Sequence, residues 1–349
     1  MKAAVLAQFE EEDGHKVVPF LIGPPGCGKS ACVREIAAAL KEKRGIPDER
    51  VIEFNPSLRD PVDILGIPKT EGEFCRWLPP LEFWAIREGA GPSILILEEL
   101  TDASIAMQNP LCRVVLDRAA GNLRLSRELY ILATGNRTAD RSGANRLTTK
   151  LANRMRVIRF EPDADDWEKW AREKGIGEDL ISFIRFRPEL LCDFEPQRME
   201  NPTPRSWEDV SRIPESLPEH LFAECVQGSV GEGAAAEYLG YLRTARSLPD
   251  LEEILRDPQA FAIGAEPAVL FALCAKLSRT ASRESFDRFY EFFRALPDEL
   301  CMMAVTDSLR RCPAIFATRG FAEFAARFEK PILFPAGKKK APKQKESDK

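Results

Sequence analysis

The chain has 349 residues, of which 44% are apolar and 30% charged, a globular composition long enough for two domains. Its 50 basic and 55 acidic side chains give a net charge of −5, which argues against a general nucleic-acid coating protein but leaves a local basic patch open. No apolar run approaches the roughly 18 residues of a membrane span, and the acidic N-terminus speaks against a secretory signal. The nine cysteines are scattered without a CxxC pair, so we expect reduced thiols and a cytoplasmic protein.

Short β-type runs alternate with helix-forming segments over residues 1–160. Several runs are almost continuously apolar, as expected of strands covered on both faces in a parallel sheet. Connections long enough for helices separate the runs, which predicts an α/β domain with a five-stranded parallel sheet. The runs are VVPFLIG (17–23), RVIEFN (50–55), SILILEE (93–99), ELYILATGN (128–136) and MRVIRFEP (155–162).

After Pro162 the β-type pattern ends, and apolar residues recur at helical spacing up to about residue 330. We divide this part into helical regions at 161–245 and 246–330. The last 15 residues contain six lysines and two acids, which predicts a disordered lysine-rich tail over 331–349, solvated or in contact with an acidic partner or nucleic acid. The spacing of aromatic residues in the second region favours core packing over a partner surface; they are Phe286, Phe289, Tyr290, Phe292, Phe293, Phe316, Phe321, Phe324 and Phe328.

The strongest motif follows the first apolar run. Residues 23–30 match the pattern GxxxxGK[ST] between a strand and a helix, the context in which this pattern binds phosphates. Its glycines let backbone N–H groups approach a triphosphate, and a helix starting near Lys29 directs its positive end there. We expect Lys29 to reach the β- and γ-phosphates of ATP, and Ser30 to ligate Mg²⁺. The nucleotide-binding residues predicted from this motif are Gly23, Pro24, Pro25, Gly26, Cys27, Gly28, Lys29 and Ser30.

Polar residues end the third and fourth apolar runs. Glu98 and Glu99 follow SILIL, and Asn136 ends ILATGN. Because the carboxyl ends of parallel strands line the ligand crevice, we expect both carboxylates beside the phosphate loop. Glu98 is predicted to hold magnesium through water, and Glu99 to polarise the attacking water. The Asn136 amide could orient that water or sense the γ-phosphate, or could belong to a Gly-Asn turn.

This succession of motifs resembles the AAA+ ATPases, and within them the MoxR-type branch. The resemblance implies that residues 23–30 are Walker A, that Glu98 and Glu99 are Walker B, and that Asn136 is sensor 1. Glu98 departs from the family pattern, in which the first acid is usually aspartate. The resemblance also implies an insert in the second helix at 57–80 and a hairpin before the sensor strand at 114–125.

Two arginines are assigned by the same resemblance. The segment LTTKLANRM (147–155) resembles the stretch that carries an arginine finger, so Arg154 is the first candidate and Arg146 the second. An arginine supplied by a neighbouring subunit neutralises charge in phosphoryl transfer. The segment NPTPRSWEDV (201–210) resembles a sensor 2 element in an all-helical lid, with Thr203 as helix N-cap and Arg205 leaning over the nucleotide.

The resemblance implies an ATPase that forms a ring, expected to contain six subunits, and remodels a protein client as a motor or chaperone. It also implies a separate von Willebrand factor A-type adapter protein. Two alternatives stay open: a DNA-directed AAA+ motor that uses the lysine tail, and a nucleotide-gated scaffold with little turnover. The apolar residues of the insert at 57–80 could grip a client or pack back onto their own domain.

Overall fold

The computed structural model describes residues 1–11, 13–140, 145–214 and 216–333. The predicted tail lies outside these residues from 334 onward, and a helix continues through 331–333. The strands of the described residues are β1 (Val18–Gly23), β2 (Val51–Phe54), β3 (Ile67–Glu71), β4 (Phe74–Leu78), β5 (Ser93–Leu97), β6 (Ala119–Ala120), β7 (Leu123–Arg124), β8 (Leu129–Asn136) and β9 (Met155–Arg159).

The main sheet has five strands in the order β2-β5-β8-β1-β9. All four pairings are parallel, and each of the five apolar runs forms one strand, so the predicted fold class is confirmed. Alternate residues of β5 enter different core clusters, Leu95 and Leu97 one and Ile94 and Ile96 the other. Burial on both faces therefore accounts for the uninterrupted apolar run of this strand.

Helices connect the strands of the main sheet. No strand follows β9 within the described residues, which confirms the prediction of an all-helical second half. The helices are α1 (Lys2–Gln8), α2 (Lys29–Arg44), α3 (Val62–Leu65), α4 (Leu81–Ala85), α5 (Ile105–Asp117), α6 (Thr149–Ala152), α7 (Ala164–Glu173), α8 (Glu178–Phe186), α9 (Pro204–Val210), α10 (Glu219–Val230), α11 (Glu232–Arg246), α12 (Leu251–Ile254), α13 (Pro258–Gly264), α14 (Pro267–Thr280), α15 (Phe286–Phe293), α16 (Asp298–Arg311) and α17 (Arg319–Leu333).

Both segments that the resemblance marked as inserts contain antiparallel hairpins. The hairpin of β6 and β7 turns at Gly121, whose φ of +54° lies in the left-handed region that suits glycine. A Cβ at Gly121 would lie 2.5 Å from the carbonyl oxygen of Leu65, so the turn packs closely against the end of α3. The hairpin of β3 and β4 lies in the other insert, and its residues are exposed throughout.

The described part of the chain divides into two compact units, and the domain boundaries at 160 and 245 stay predictions. The first unit comprises residues 1–176 and 187–236, and the second comprises 177–186 and 237–349. Residues 187–236 join the first unit because α9 contacts the phosphate loop, as described below. Helix α8 joins the second unit because it packs against α14.

The second unit is built around an aromatic core. The five aromatic side chains of α15 are all buried, as predicted from their spacing. Phe324 and Phe328 of α17 are also buried and join the same cluster. Phe316 differs, because its side chain is 69% exposed, although its ring centroid lies 4.9 Å from that of Phe321.

Candidate functional site

The phosphate loop connects β1 to α2. The strand ends at Gly23 and the helix begins at Lys29, in agreement with the predicted strand–loop–helix context. Gly26 and Gly28 have φ values of +73° and +100°, a region that residues with a Cβ rarely adopt. The glycines of the motif are therefore required by the path of the backbone.

Helix α9 begins against this loop. A Cβ at Gly26 would lie 2.7 Å from Thr203 Oγ1, and the backbone N–H of Arg205 donates to the Gly26 carbonyl at 3.2 Å. Thr203 is the N-cap of α9 and forms a reciprocal capping box with Ser206, with Pro204 in the first turn as predicted. The start of α9 is thereby coupled directly to the loop.

We expect Gly26→Ala to destabilise the protein more than Gly45→Ala does. Both positions have positive φ, so each alanine has a backbone cost of about 1–2 kcal/mol, but only a Cβ at Gly26 meets neighbouring atoms. Overpacking against Thr203 adds about 1–3 kcal/mol, measurable as the difference in free energy of unfolding between the two variants in urea. Equal losses would show that the contact between Gly26 and Thr203 contributes nothing.

Lys29 is the central cation of the site. Its side chain is buried, with 8% exposed, and its ammonium donates to the Gly23 carbonyl at 2.9 Å, the Pro24 carbonyl at 2.6 Å and Asn136 Oδ1 at 3.0 Å. Burial lowers the pKa of this ammonium, and the charge of Arg205 lowers it further, against the opposing effect of Asp140. Among the described residues, no carboxylate oxygen lies within 4.0 Å of the Lys29 ammonium, the distance that defines an ion pair. A buried cation that is bonded only to neutral groups is suited to receive an anion.

Asn136 joins Lys29 because of the register of the sheet. Asn136 ends β8 and pairs with Gly23 at the end of β1. Its backbone N–H donates to Thr101 Oγ1 at 2.9 Å, and its side-chain Nδ2 donates to Asp102 Oδ2 at 3.3 Å. The carboxamide therefore lies between the Lys29 ammonium and the Asp102 carboxylate.

The two predicted acids follow β5 but have different partners. Glu98 is 17% exposed and accepts from Arg34 at 2.8 Å, while Arg34 also pairs with Glu53. Glu99 is exposed, and its carboxylate accepts from Asn55 Nδ2 at 2.9 Å and from Ser57 Oγ at 3.3 Å. Its backbone N–H donates to the side chain of a β8 residue, Thr134, at 3.2 Å.

Glu99 has a strained backbone. Its φ of +51° and ψ of +40° lie in the left-handed region, which residues other than glycine rarely adopt. Such strain costs on the order of 1–3 kcal/mol and is concentrated at functional sites. The strained conformation directs the chain from β5 into a turn at Leu100–Asp102, which brings Thr101 and Asp102 to Asn136.

Of the two predicted metal ligands, Ser30 lies on α2 and Glu98 directly follows β5. Ser30 and Arg34 are four residues apart and share a helix face, and Arg34 contacts Glu98. A metal ion held by Ser30 and Glu98 would compete with Arg34 for that carboxylate. No cluster of three or more histidine, cysteine or acidic side chains in the described ranges could hold a metal by itself. Magnesium that arrives with phosphates needs few protein ligands, since it keeps several waters, so this donor set fits Mg²⁺.

The predicted arginines are not all gathered at the loop. Arg205 lies in the first turn of α9 with an exposed side chain, and its backbone contacts the loop. Arg154 and Arg146 are exposed, and the Arg154 carbonyl accepts from Val18 N at 3.2 Å. Val18 begins β1, so Arg154 lies at the end of that strand opposite to the phosphate loop, roughly 16 Å along it at about 3.3 Å per residue.

Five site residues escaped the sequence analysis: Arg34, Asn55, Ser57, Thr101 and Asp102. Their positions carried a signal, because Asn55 ends the second apolar run and Thr101 and Asp102 come shortly after the Glu98–Glu99 pair. The sequence does not show which of these side chains contact each other. Asn55 and Glu99, for example, meet only because β2 and β5 are neighbours in the sheet.

A polar cleft of about 900 Å³ belongs to the second unit instead. Its lining includes Arg288, Arg294 and Arg327, but each of these pairs with an acidic residue, respectively Glu252, Glu291 and Asp298. None of the predicted site residues lines this cleft, because all of them lie in the first unit.

No helix of the described residues has the length and apolar character to cross a membrane.

No protein-family model matches the chain, and no curated protein matches it. Among solved structures, a Thermotoga maritima RuvB mutant is similar with 13% identity and a TM-score of 0.39, covering 82% of each chain. Brucella abortus NtrX in complex with ADP is similar with 15% identity and a TM-score of 0.38, covering 94% of this chain and 67% of the other. Likeness at this level does not assign the chain to a family.

Proposed function

We propose that this chain is an ATP-binding and ATP-hydrolysing AAA+ protein of the MoxR type. In this proposal it works in the cytoplasm as a ring-forming remodelling motor or chaperone. The observation that carries the proposal is the buried Lys29 ammonium, which lies in a glycine loop and is bonded only to neutral groups. Its nine free cysteines are in keeping with the reducing cytoplasm.

The residues of the loop fit a triphosphate. The backbone of Gly26, Cys27 and Gly28 would supply N–H donors, which Pro24 and Pro25 lack. Lys29 would add a charge-assisted bond, and the start of α2 a positive helix end. Ser30 and Glu98 would hold Mg²⁺, which when bound neutralises charge on the phosphates. Arg34 would be displaced from Glu98 or would share it, so the Arg34–Glu98 pair is expected to weaken metal binding.

Hydrolysis in this proposal requires Glu99 and Asn136. Glu99 would accept a proton from the attacking water, and Asn136 would orient the water or contact the terminal phosphate. The Asn55 amide donates to the Glu99 carboxylate, and the Ser57 hydroxyl contacts the same oxygen while sharing its single hydrogen with Asn55 Oδ1 at 2.7 Å. Their contacts restrain Glu99, so we expect basal turnover to be slow until these bonds are exchanged.

The position of Arg154 supports action between subunits. Because Arg154 lies at the opposite end of β1 from its own loop, it would complete the site of a neighbouring copy rather than its own. The ring, with six subunits, is the proposal taken from the resemblance. Arg146 is the second candidate, with an exposed side chain.

The exposed hairpin supports a protein client. Ile67 is 67% exposed, Phe74 77% and Trp77 41%, so these side chains do not pack back onto their own domain. Large apolar side chains gathered on one surface segment indicate a protein contact. The hairpin follows Asn55 and Ser57 in the chain. A movement of the Glu99 carboxylate, which contacts both residues, could therefore be transmitted to the hairpin through the short segment between them. The von Willebrand factor A-type adapter remains part of the proposal through the resemblance.

Ring formation is tested by light scattering after size exclusion, with and without a non-hydrolysable ATP analogue. We expect the analogue to shift the mass from one chain to a multiple near six. Phosphate release per chain should rise with protein concentration, because each site needs a neighbour's arginine, and Arg154→Ala should lower turnover while nucleotide binding remains. Constant mass together with turnover independent of concentration would contradict the assembly.

A further inference from the structure

Three side chains form a continuous hydrogen-bonded series at the end of β8. The Lys29 ammonium donates to Asn136 Oδ1 at 3.0 Å, and Asn136 Nδ2 donates to Asp102 Oδ2 at 3.3 Å. The carboxamide therefore links a cation to an anion, and each of its two bonds is charge-assisted. The series spans the phosphate loop, β8 and the turn after β5.

Lys29 and Asp102 together determine which way the carboxamide of Asn136 points. In the opposite orientation the NH₂ group would face the Lys29 ammonium and the oxygen would face the Asp102 carboxylate, so both bonds would become repulsive. Thr101 fixes the rest of the arrangement, since its hydroxyl accepts from Asn136 N at 2.9 Å and donates to Asp102 Oδ1 at 3.1 Å.

The surroundings of Asp102 disfavour the charged form of its carboxyl group. Burial raises the pKa of this carboxyl, and the negative charge of Glu99 raises it further, although bonds from Thr101 and Asn136 act in the other direction. No ion pair involves Asp102 among the residues that the structure describes. A partly buried acid that lies in a site and is hydrogen-bonded to another site residue is a candidate for a functional role.

We propose that Asp102 is a positioning residue that competes with the terminal phosphate of a nucleoside triphosphate for the side-chain NH₂ of Asn136. The inference rests on the proposed function. The terminal phosphate of a triphosphate at Lys29 can accept a hydrogen bond from Asn136 only through Nδ2. The Asn136 oxygen faces the Lys29 ammonium, and Asp102 holds Nδ2 on the other side by one of its two N–H bonds, so Nδ2 reaches the phosphate only by turning away from Asp102. A diphosphate lacks the terminal group, so the competition acts on triphosphate binding alone and sets how far the site prefers ATP over ADP.

The test is calorimetric binding of ADP and of a non-hydrolysable ATP analogue to Asp102→Ala and Asp102→Asn. We expect the alanine variant to bind the analogue about three- to tenfold more tightly, as loss of one competing hydrogen bond implies, with ADP affinity within about twofold. The Asp102→Asn variant keeps a hydrogen-bond acceptor but loses the negative charge, so it should also bind the analogue more tightly than the wild type, by a smaller factor than Asp102→Ala. Asp117→Asn, which removes a carboxylate on the surface of α5, serves as the control.

The Asn136→Ala background separates positioning from other roles. If Asp102 acts through Asn136, then Asp102→Ala should leave the ratio of analogue to ADP affinity unchanged in that background. A persisting effect would overturn the proposal in favour of direct repulsion of the phosphate, and equal changes for both nucleotides would overturn it in favour of a structural role. Failure of the wild type to bind either nucleotide would instead remove the proposed function itself.

Discussion

Replacing Lys29 with alanine is expected to abolish tight nucleotide binding. The ammonium of Lys29 is buried and bonded to two loop carbonyls and Asn136, so a phosphate can take over its hydrogen bonds without first displacing a carboxylate. Loss of two charge-assisted bonds of about 1.5–3 kcal/mol each corresponds to a fall in affinity on the order of 100- to 10,000-fold. Titration with a fluorescent ATP analogue measures this directly.

The matched control is Lys41→Ala. Lys41 lies near the other end of the same helix, and its ammonium forms an ion pair with Asp48. This variant removes the same charge from α2 at a distance from the loop, so its nucleotide affinity should stay within about twofold of the wild type, as expected for a surface ion pair. Similar losses in the two variants would indicate a general electrostatic effect, and unchanged affinity in Lys29→Ala would remove the phosphate site.

The five strands could be predicted from the sequence because a parallel sheet covered on both faces has a strong signature. β5 is apolar at every position apart from Ser93, and its alternate side chains enter two separate clusters. The phosphate loop could be predicted for a related reason. The left-handed backbone at Gly26 and Gly28 demands glycine, so the local conformation is recorded in the residue types themselves.

The partners of the acids could not be predicted, since they depend on which strands are neighbours. Asn55 reaches Glu99 across the pairing of β2 with β5, and Asp102 reaches Asn136 across that of β5 with β8. A single sequence lists the polar residues at strand ends but does not state the strand order that brings them together. Arg34 is a further case, because only the folded position of α2 sets its guanidinium between Glu53 and Glu98.

The insert at 57–80 shows a limit of another kind. Its apolar residues were compatible with a client surface and with packing back onto the domain, and the structure contains both buried and exposed members of this set. Ile64 of α3 is fully buried in the main core cluster, whereas the hairpin residues Ile67, Phe74 and Trp77 are exposed. Composition does not separate the two groups, because the division depends on where the chain leaves the domain at Gly66, whose φ is +88°.

Glu99→Gln is expected to bind ATP with wild-type affinity and to hydrolyse it about 100- to 10,000-fold more slowly, the range for loss of a general base. Glutamine keeps one oxygen for the bonds from Asn55 and Ser57, so the local structure should persist while proton transfer is lost. Phosphate release at saturating ATP measures the change in kcat.

Asn55→Ala should change turnover in the opposite direction. If Asn55 and Ser57 restrain the Glu99 carboxylate, then removing the Asn55 amide releases it and basal kcat should rise, whereas Glu99→Gln in the same background should stay slow.

The matched control for Glu99→Gln is Glu88→Gln, since Glu88 is a surface acid paired with Arg127. Equal turnover in the wild type and Glu99→Gln would remove Glu99 as the base. A wild type that binds ATP but releases phosphate no faster than Glu99→Gln would then be a nucleotide-gated scaffold, in which the hydrogen bonds at Glu99 serve structure alone.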